Sequence, residues 1–373
     1  MPQWIWQRAD WPNFRWDDSA ILPVLAQARL RQGRLLGYMK LLDSNLSQEA
    51  RAQILVEESV GTSAIEGEKL DFDSVRSSVA RHLGLATAGL PVPTRNVDGL
   101  IKLLLDATTR YDQPLILERL CGWQAALFPT GYSGLHPVLT GQLRGDDPMR
   151  VVSGPVGREK VHFEAPPRNG LEARGDEFLQ WFNQSRRKPA EDGLLRAGIA
   201  HLWFVTLHPF EDGNGRLARA ITDMALCQDE QQPLRLFSLS AQIMREREAY
   251  YDILEHTQHG DLDVTEWLCW FLAQVVNACE QADTTINRVL AKARFWLRHQ
   301  STNINERQRK VMNRLLDAGP GGFEGGMNTR KYVSLTKASR ATAYRELADL
   351  VEKGCLIAVG EGRGAGYIVR WEG

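Results

Sequence analysis

Apolar residues recur at helical spacing along most of this chain. Between residues 19 and 42, Ile21, Leu22, Leu25, Ala28, Leu35, Leu36 and Met39 follow the rhythm of one buried helix face, and the same spacing predicts helices over 47–59 and 73–83. A Pro91-Val92-Pro93 break precedes helices expected over 96–105 and 115–128. The period then changes. Two short β-branched runs, 150–153 and 160–163, flank Gly154-Pro155-Val156-Gly157 and predict a hairpin. Helical spacing returns over 171–183, 194–206, 218–227, 240–257 and 264–297.

After a polar stretch at 300–305 a separate module begins. Helices are expected over 306–316, 328–333 and 339–353, with a glycine-rich loop at 319–326. Strands at 356–359 and 367–371 follow, joined by the glycine-rich 360–366. Three helices and then a hairpin is the order of a winged helix-turn-helix. The expected fold is therefore mainly α: a helical bundle with one small β-hairpin, plus a C-terminal winged helix-turn-helix. The expected divisions are an N-terminal helical region at 1–95, a central domain at 96–298 and the module at 299–373. Four tryptophans, Trp4, Trp6, Trp11 and Trp16, crowd the first 20 residues and read as an aromatic clasp packed on a larger body.

Composition narrows the class. With 373 residues, 43% hydrophobic and 24% charged, the chain suits two or three globular domains and argues against disorder. No apolar stretch approaches the ~18 residues of a membrane span, and the first residues lack a signal peptide's basic and apolar regions, so the expected compartment is the cytoplasm. The five cysteines, at 121, 227, 269, 279 and 355, have no ligand-like spacing and read as reduced core thiols. The net charge of -1 speaks against a basic footprint spread over the whole chain, yet residues 301–373 carry 12 Lys/Arg against 8 Asp/Glu.

The stretch His208-Pro209-Phe210-Glu211-Asp212-Gly213-Asn214-Gly215-Arg216-Leu217-Ala218-Arg219 concentrates chemistry. Two glycines and an asparagine lead into a helical run, where unpaired backbone N–H groups can cradle an anion such as phosphate. Glycine permits close approach there. Arg216 and Arg219 lie three apart on one helix face and offer guanidinium forks for further phosphates. Asp212 is a hard oxygen ligand suited to Mg²⁺, and His208 is suited to act as a general base. Phe210 anchors the loop. Any one of these residues would also suit an ordinary turn; a joint match at the nine positions His208, Pro209, Phe210, Asp212, Gly213, Asn214, Gly215, Arg216 and Arg219 arises by chance at on the order of one in 10⁹.

The joint pattern resembles the signature of the Fic (filamentation induced by cAMP) family of nucleotidyltransferases, and the resemblance runs from about residue 62 to 272. It implies AMPylation: ATP binds, a protein hydroxyl attacks the α-phosphorus, and AMP is transferred as pyrophosphate leaves. It implies that His208 takes the hydroxyl proton, Asp212 holds Mg²⁺, Gly213, Asn214 and Gly215 stabilise phosphate charge, and Arg216 and Arg219 grip the β- and γ-phosphates. Tyr250 and Gln258 are similar in position to residues that contact adenine, although Tyr250 equally suits the core. The hairpin resembles the family's flap, in which Val161, His162, Phe163 and Glu164 pair with a segment of the target protein by backbone hydrogen bonds.

Thr62-Ser63-Ala64-Ile65-Glu66-Gly67 resembles the family's inhibitory motif. Glu66 is then expected to pair bidentately with Arg219 and keep ATP from a productive pose. A competing reading makes Ser63 and Glu66 a capping box at a helix start. In the C-terminal module Lys337, Arg340, Thr342 and Arg345 are expected at the front of a recognition helix facing DNA, with protein contacts or dimer packing as the alternative. The expected partners are ATP, Mg²⁺ and a target protein, or the chain itself, offering a Ser, Thr or Tyr hydroxyl. A DNA-binding regulator that modifies itself, phosphocholine transfer and removal of AMP are competing functions on the same scaffold.

Overall fold

The computed structural model describes residues 3–41, 44–85, 89–155, 158–186, 192–233, 235–319, 323, 325–360 and 366–371. Parts of three expected turns, 156–157, 320–322 with 324, and 361–365, lie outside the described residues, as does the side chain of Met39. The described residues form fourteen α-helices: α1 (Asp18–Leu41), α2 (Ser44–Ile65), α3 (Phe72–His82), α4 (Arg95–Thr109), α5 (Leu117–Leu127), α6 (Leu171–Ser185), α7 (Gly193–Leu207), α8 (Asn214–Glu230), α9 (Leu239–Arg245), α10 (Arg247–His259), α11 (Thr265–Arg298), α12 (Glu306–Ala318), α13 (Thr329–Thr336) and α14 (Arg340–Glu352). Three antiparallel hairpins complete them: β1 (Tyr132–Ser133) with β2 (His136–Pro137), β3 (Arg150–Ser153) with β4 (Lys160–Glu164), and β5 (Leu356–Val359) with β6 (Gly366–Val369). No described helix is long and apolar enough to cross a membrane.

The chain divides into two compact units, one of Met1–Leu41 with Arg51–Ala282 and one of Leu42–Ala50 with Asp283–Gly373. The first is built around α7 and α8. From Leu194 to Leu207 every residue of α7 is buried, and α8 is buried from Arg216 to Cys227. A helix apolar on all faces must lie inside a bundle. The loop between these two helices, residues 208–213, is thereby suspended over the centre of the unit.

Three elements depart from the expected spans, each through packing. The helix expected to stop at 59 continues as α2 to Ile65, through Gly61 and the β-branched Thr62. A Cβ on Gly61 would lie 2.6 Å from the backbone nitrogen of Ala241, so the glycine that weakens the helix is what lets it press on the start of α9. Ser63 and Glu66 consequently sit at the end of α2, which removes the capping-box reading. The single helix expected over 240–257 is two, because Glu246 (φ -108°, ψ 32°) closes α9 and opens α10. No glycine or proline marks that break. The short β1–β2 hairpin was not expected, its strands being only two residues each.

In the second unit Phe295 near the end of α11 packs with Val311, Leu315, Tyr332, Leu347, Leu350 and Leu356. Glu346 ties this core together, accepting from the Tyr332 hydroxyl at 2.6 Å and pairing with Arg307. Met327 bridges Tyr367 beside the β5–β6 hairpin. Lys337 is not at the front of α14. It closes α13 in the left-handed conformation (φ 59°), while Ser339 caps α14 and Arg340, Thr342 and Arg345 occupy its first two turns.

Candidate active site

His208 ends α7. Its φ of 48° and ψ of 55° turn the chain out of the helix and into the loop. Its Nδ1 lies 3.1 Å from the carbonyl oxygen of Val205. A carbonyl only accepts, so Nδ1 carries the hydrogen and Nε2 keeps its lone pair. Burial holds the imidazole below its ordinary pKa, against the Val205 carbonyl that favours the charged form. The ring is thus a neutral base at neutral pH.

The loop is locked from inside. Asn214 accepts from the Phe210 amide at 3.0 Å and donates to the Phe210 carbonyl at 2.7 Å, closing residues 210–214 into a ring, and Phe210 itself is fully buried. Gly213 begins α8 with φ 91°, and a Cβ there would press on Leu127 and Phe128 at 3.1 Å. The first turn of α8 therefore presents its unpaired N–H groups and positive dipole end outward. Asp212 Oδ1 accepts from the Gly213 amide at 2.5 Å.

What lies over that helix start is Glu66. A Cβ on Gly215 would fall 2.2 Å from Glu66 Oε1, so the carboxylate occupies the space an approaching anion would need. Glu66 Oε1 also accepts from Arg219 Nη2 at 2.6 Å. The contact is single rather than bidentate: the Thr62 hydroxyl accepts from Nε at 2.7 Å, and the Thr62 carbonyl shares Nη2 with Glu66 at 3.0 Å. Burial opposes ionisation of Glu66, but the charge and hydrogen bond of Arg219 prevail and hold its carboxyl below the usual range. Glu68 engages Arg216 in turn at 3.3 Å. Arg219 Nη1 and Arg216 Nε remain buried donors without a hydrogen-bond partner among the described residues.

The end of α2 is shaped to deliver this carboxylate. Gly67, at φ 81°, donates to the Ala64 carbonyl at 3.0 Å, and Glu68 donates to the Ser63 carbonyl at 3.0 Å. That pair is a Schellman cap, which requires a left-handed residue after the helix and explains the glycine following the glutamate. Arg247 Nε and the Tyr251 hydroxyl both donate to the Ile65 carbonyl, at 2.7 and 3.2 Å.

These groups surround one cavity of about 820 Å³, lined among others by Glu66, Val152, Ser153, His162, His208, Asp212, Gly215, Tyr250, Glu255 and Gln258. That volume suits a small-molecule ligand. One wall is the β3–β4 hairpin. Trp4 stacks edge-on against Phe163 at 5.3 Å, and Trp6 donates to the Glu164 carbonyl at 2.7 Å, so these two tryptophans fasten the base of this hairpin while Trp11 packs on Trp203.

The Fic/DOC family model matches residues 114–226, the stretch containing this loop. The chain carries a Fic/DOC family domain. Upstream of the Fic domain, residues 4–85 match a domain of unknown function, DUF4172, so α2 and the tryptophan cluster belong to a recurring unit. The protein adenylyltransferase fic-1 of Caenorhabditis briggsae is 34% identical over 126 residues, which is 34% of this chain and 22% of that protein. Solved structures share the fold: a Fic family protein from Desulfovibrio desulfuricans (TM-score 0.53, 19% identity, 95% of this chain and 97% of that one). A Fic domain containing signaling protein from Bacteroides thetaiotaomicron follows (TM-score 0.52, 14% identity, 72% of this chain and 97% of that one).

Of the expected site residues, Glu66, His162, Phe163, His208, Asp212, Gly213, Asn214, Gly215, Tyr250 and Gln258 line the cavity, and Val161, Glu164, Arg216 and Arg219 do not. Asn214 spends its side chain on the loop and leaves only its backbone to the cradle. Tyr250 is buried, and its hydroxyl meets His201 Nε2 at 2.8 Å. Burial pushes that histidine down to about 3. Thr222 donates to the Ala218 carbonyl and accepts from His201 Nδ1, so Nε2 accepts from the Tyr250 hydroxyl. Gln258 is buried and donates to Thr206 at 3.2 Å. Arg144 was not singled out from the sequence. Buried, it donates to the carbonyls of His208, at 2.9 Å, and Pro166, and its own amide reaches the Pro209 carbonyl at 3.0 Å. It pins the base's turn, and a lone arginine 64 residues upstream offers no pattern that would reveal it.

Proposed function

We propose that the protein is an adenylyltransferase that moves AMP from ATP to a hydroxyl of a target protein or of itself, and that Glu66 restrains it. The observation that carries this reading is the opposition of His208 Nε2, free to accept a proton, to a helix N-terminus built for an anion, across one cavity. The acceptor hydroxyl gives its proton to His208 Nε2 as its oxygen attacks the α-phosphorus, and the bond to the pyrophosphate oxygen breaks. First-turn amides of α8 meet the charge that develops on the phosphoryl oxygens. The unpartnered donors of Arg219 and Arg216 suit the β- and γ-phosphates once Glu66 and Glu68 move aside.

The residues fit Mg²⁺ as an ion carried in with nucleotide. No group of three or more His, Cys, Asp or Glu forms a protein cage among the described residues, and Mg²⁺ commonly uses one carboxylate plus substrate phosphates. Asp212, partly exposed in the cavity, is that carboxylate. Bound there, the ion would neutralise phosphate charge. Residues Val161, His162, Phe163 and Glu164 would align the target segment along the hairpin edge.

With α-³²P-ATP as donor, Glu66→Gly is expected to raise AMP incorporation at least ~10-fold over wild type, and His208→Ala in that background to lower it by ~10²–10⁴. Equal labelling by wild type and Glu66→Gly would refute the restraint, and undiminished labelling of proteins other than the enzyme itself by His208→Ala would refute the mechanism.

For the C-terminal module we propose a winged helix that binds DNA through α14, where Arg340 and Arg345 are exposed beside Tyr344 (62% exposed). A gel shift with genomic fragments should weaken steeply as salt rises. Absence of a shift at low salt would assign the surface to protein contacts.

A further inference from the structure

The β3–β4 hairpin and α10 together hold a hydroxyl–imidazole–carboxylate relay that does not include His208. Strand pairing runs Val151 to Phe163 and then Val152 to Val161, which leaves His162 as one residue in excess on β4. A bulge of this kind re-aims the side chain of the extra residue. The imidazole of His162 accordingly reaches Ser153 Oγ with Nε2 at 2.6 Å and Glu255 Oε2 with Nδ1 at 2.5 Å. Glu255 stays ionised: burial opposes the charge, but hydrogen bonds from His162 and Lys160 prevail and keep its carboxyl below the usual range. An ionised carboxylate only accepts, so Nδ1 carries the hydrogen and Nε2 is left to accept the proton of Ser153. This is the order of groups that activates a serine as nucleophile.

All three side chains line the cavity that His208, Asp212 and Gly215 also line. Resting on the adenylyltransferase reading above, we propose that Ser153 is an internal acceptor of AMP, with His162 as its base and Glu255 as a positioning residue. Ser153 Oγ forms a bond to the α-phosphorus of ATP, and its proton passes to His162 Nε2. The bond from that phosphorus to the bridging oxygen breaks, and pyrophosphate leaves with the electron pair. The modified serine ends β3 beside Val152 and Val161, which are 48% and 40% exposed. AMP on Ser153 would cover the strand edge offered to a target, so self-modification competes with modification of other proteins.

The test incubates full-length Glu66→Gly with ATP and Mg²⁺, counts AMP per chain, measures pyrophosphate and maps the modified residue by peptide mass spectrometry. Ser153 is expected to carry AMP. In the same background Ser153→Ala removes that modification, Ser153→Thr retains it on the threonine hydroxyl, and His162→Gln slows it by ~10²-fold. Glu255→Gln slows it too and shifts the acid limb of its pH–rate profile, a change that loss of a merely structural contact would not produce. AMP found on an added protein or on other residues, with Ser153 unmodified, overturns the proposal while leaving the adenylyltransferase reading intact. No AMP incorporation and no pyrophosphate release overturns that reading and the proposal with it.

Discussion

Residues 208–219 and the β3–β4 hairpin line the same cavity, but they are held in different ways. The loop is secured mainly by near neighbours, with Asn214 bridging Phe210 four residues away and Gly213 starting the next helix, and Arg144 adds one distant anchor on the His208 carbonyl. The hairpin is secured by distant residues, with Trp6 reaching Glu164 across 158 positions and Glu255 reaching His162 across 93. The loop therefore carries its own geometry wherever the bundle forms. The hairpin takes its geometry from whatever packs beneath it, and here that is the N-terminal segment. On the proposed function, chemistry is specified mainly locally and alignment of the acceptor from afar.

Breaking the loop should have the larger effect. Asn214→Ala strips the partners from the buried amide and carbonyl of Phe210, each worth about 1–3 kcal/mol when left unsatisfied. In the Glu66→Gly background AMP transfer should fall by ~10²-fold, with ATP affinity weakened as well. A loop that tolerates this change with full transfer would show that the bundle, and not the ring of hydrogen bonds, holds the cradle.

Breaking the hairpin's support should be milder and of another kind. Trp4→Ala removes an edge-on aromatic contact to Phe163 at 5.3 Å, worth about 0.5–1.5 kcal/mol beyond the buried area it also costs. Transfer to a protein acceptor should drop by ~10-fold through KM for that protein, while ATP affinity measured by calorimetry holds. If ATP affinity falls as far as acceptor recognition, the two regions are not separately held.

The same division governs what could be read from the residues alone. The cradle and the base lie in one short stretch, so the anion site ahead of α8 was legible from the residues, and the pairing of Glu66 with Arg219 followed from the resemblance of 62–67 to an inhibitory motif. Single-residue contacts between remote segments were not legible. Arg144 on the His208 carbonyl, the bulge that turns His162 toward Ser153, and the tryptophans under the flap leave no periodic trace. The break at Glu246 was hidden for a related reason, since tertiary packing overrode a continuous helical pattern. Glu66 was expected to hold Arg219 bidentately but meets only Nη2 while Thr62 holds Nε, because side-chain competition within one turn cannot be resolved from spacing.

The smallest expected effect is that of pH on the restraint itself. The Glu66 carboxyl lies below its ordinary value in the restrained state, chiefly because Arg219 outweighs the burial that opposes its charge. A depressed carboxylate contributes stability that is complete above its unperturbed value, 4.5, and is lost only as pH falls through the lower folded value. The grip of Glu66 on Arg219 is therefore constant through the neutral range. His208 is also depressed, by burial, so its neutral fraction is nearly complete at neutral pH and declines only on the acid side of 6.5. Because both wild type and Glu66→Gly use the same base, the ratio of their rates should stay within about 2-fold from pH ~6 to ~8 while the individual rates fall together below that range. A ratio that collapses toward one near neutrality would mean that a group other than the carboxylate sets the restraint.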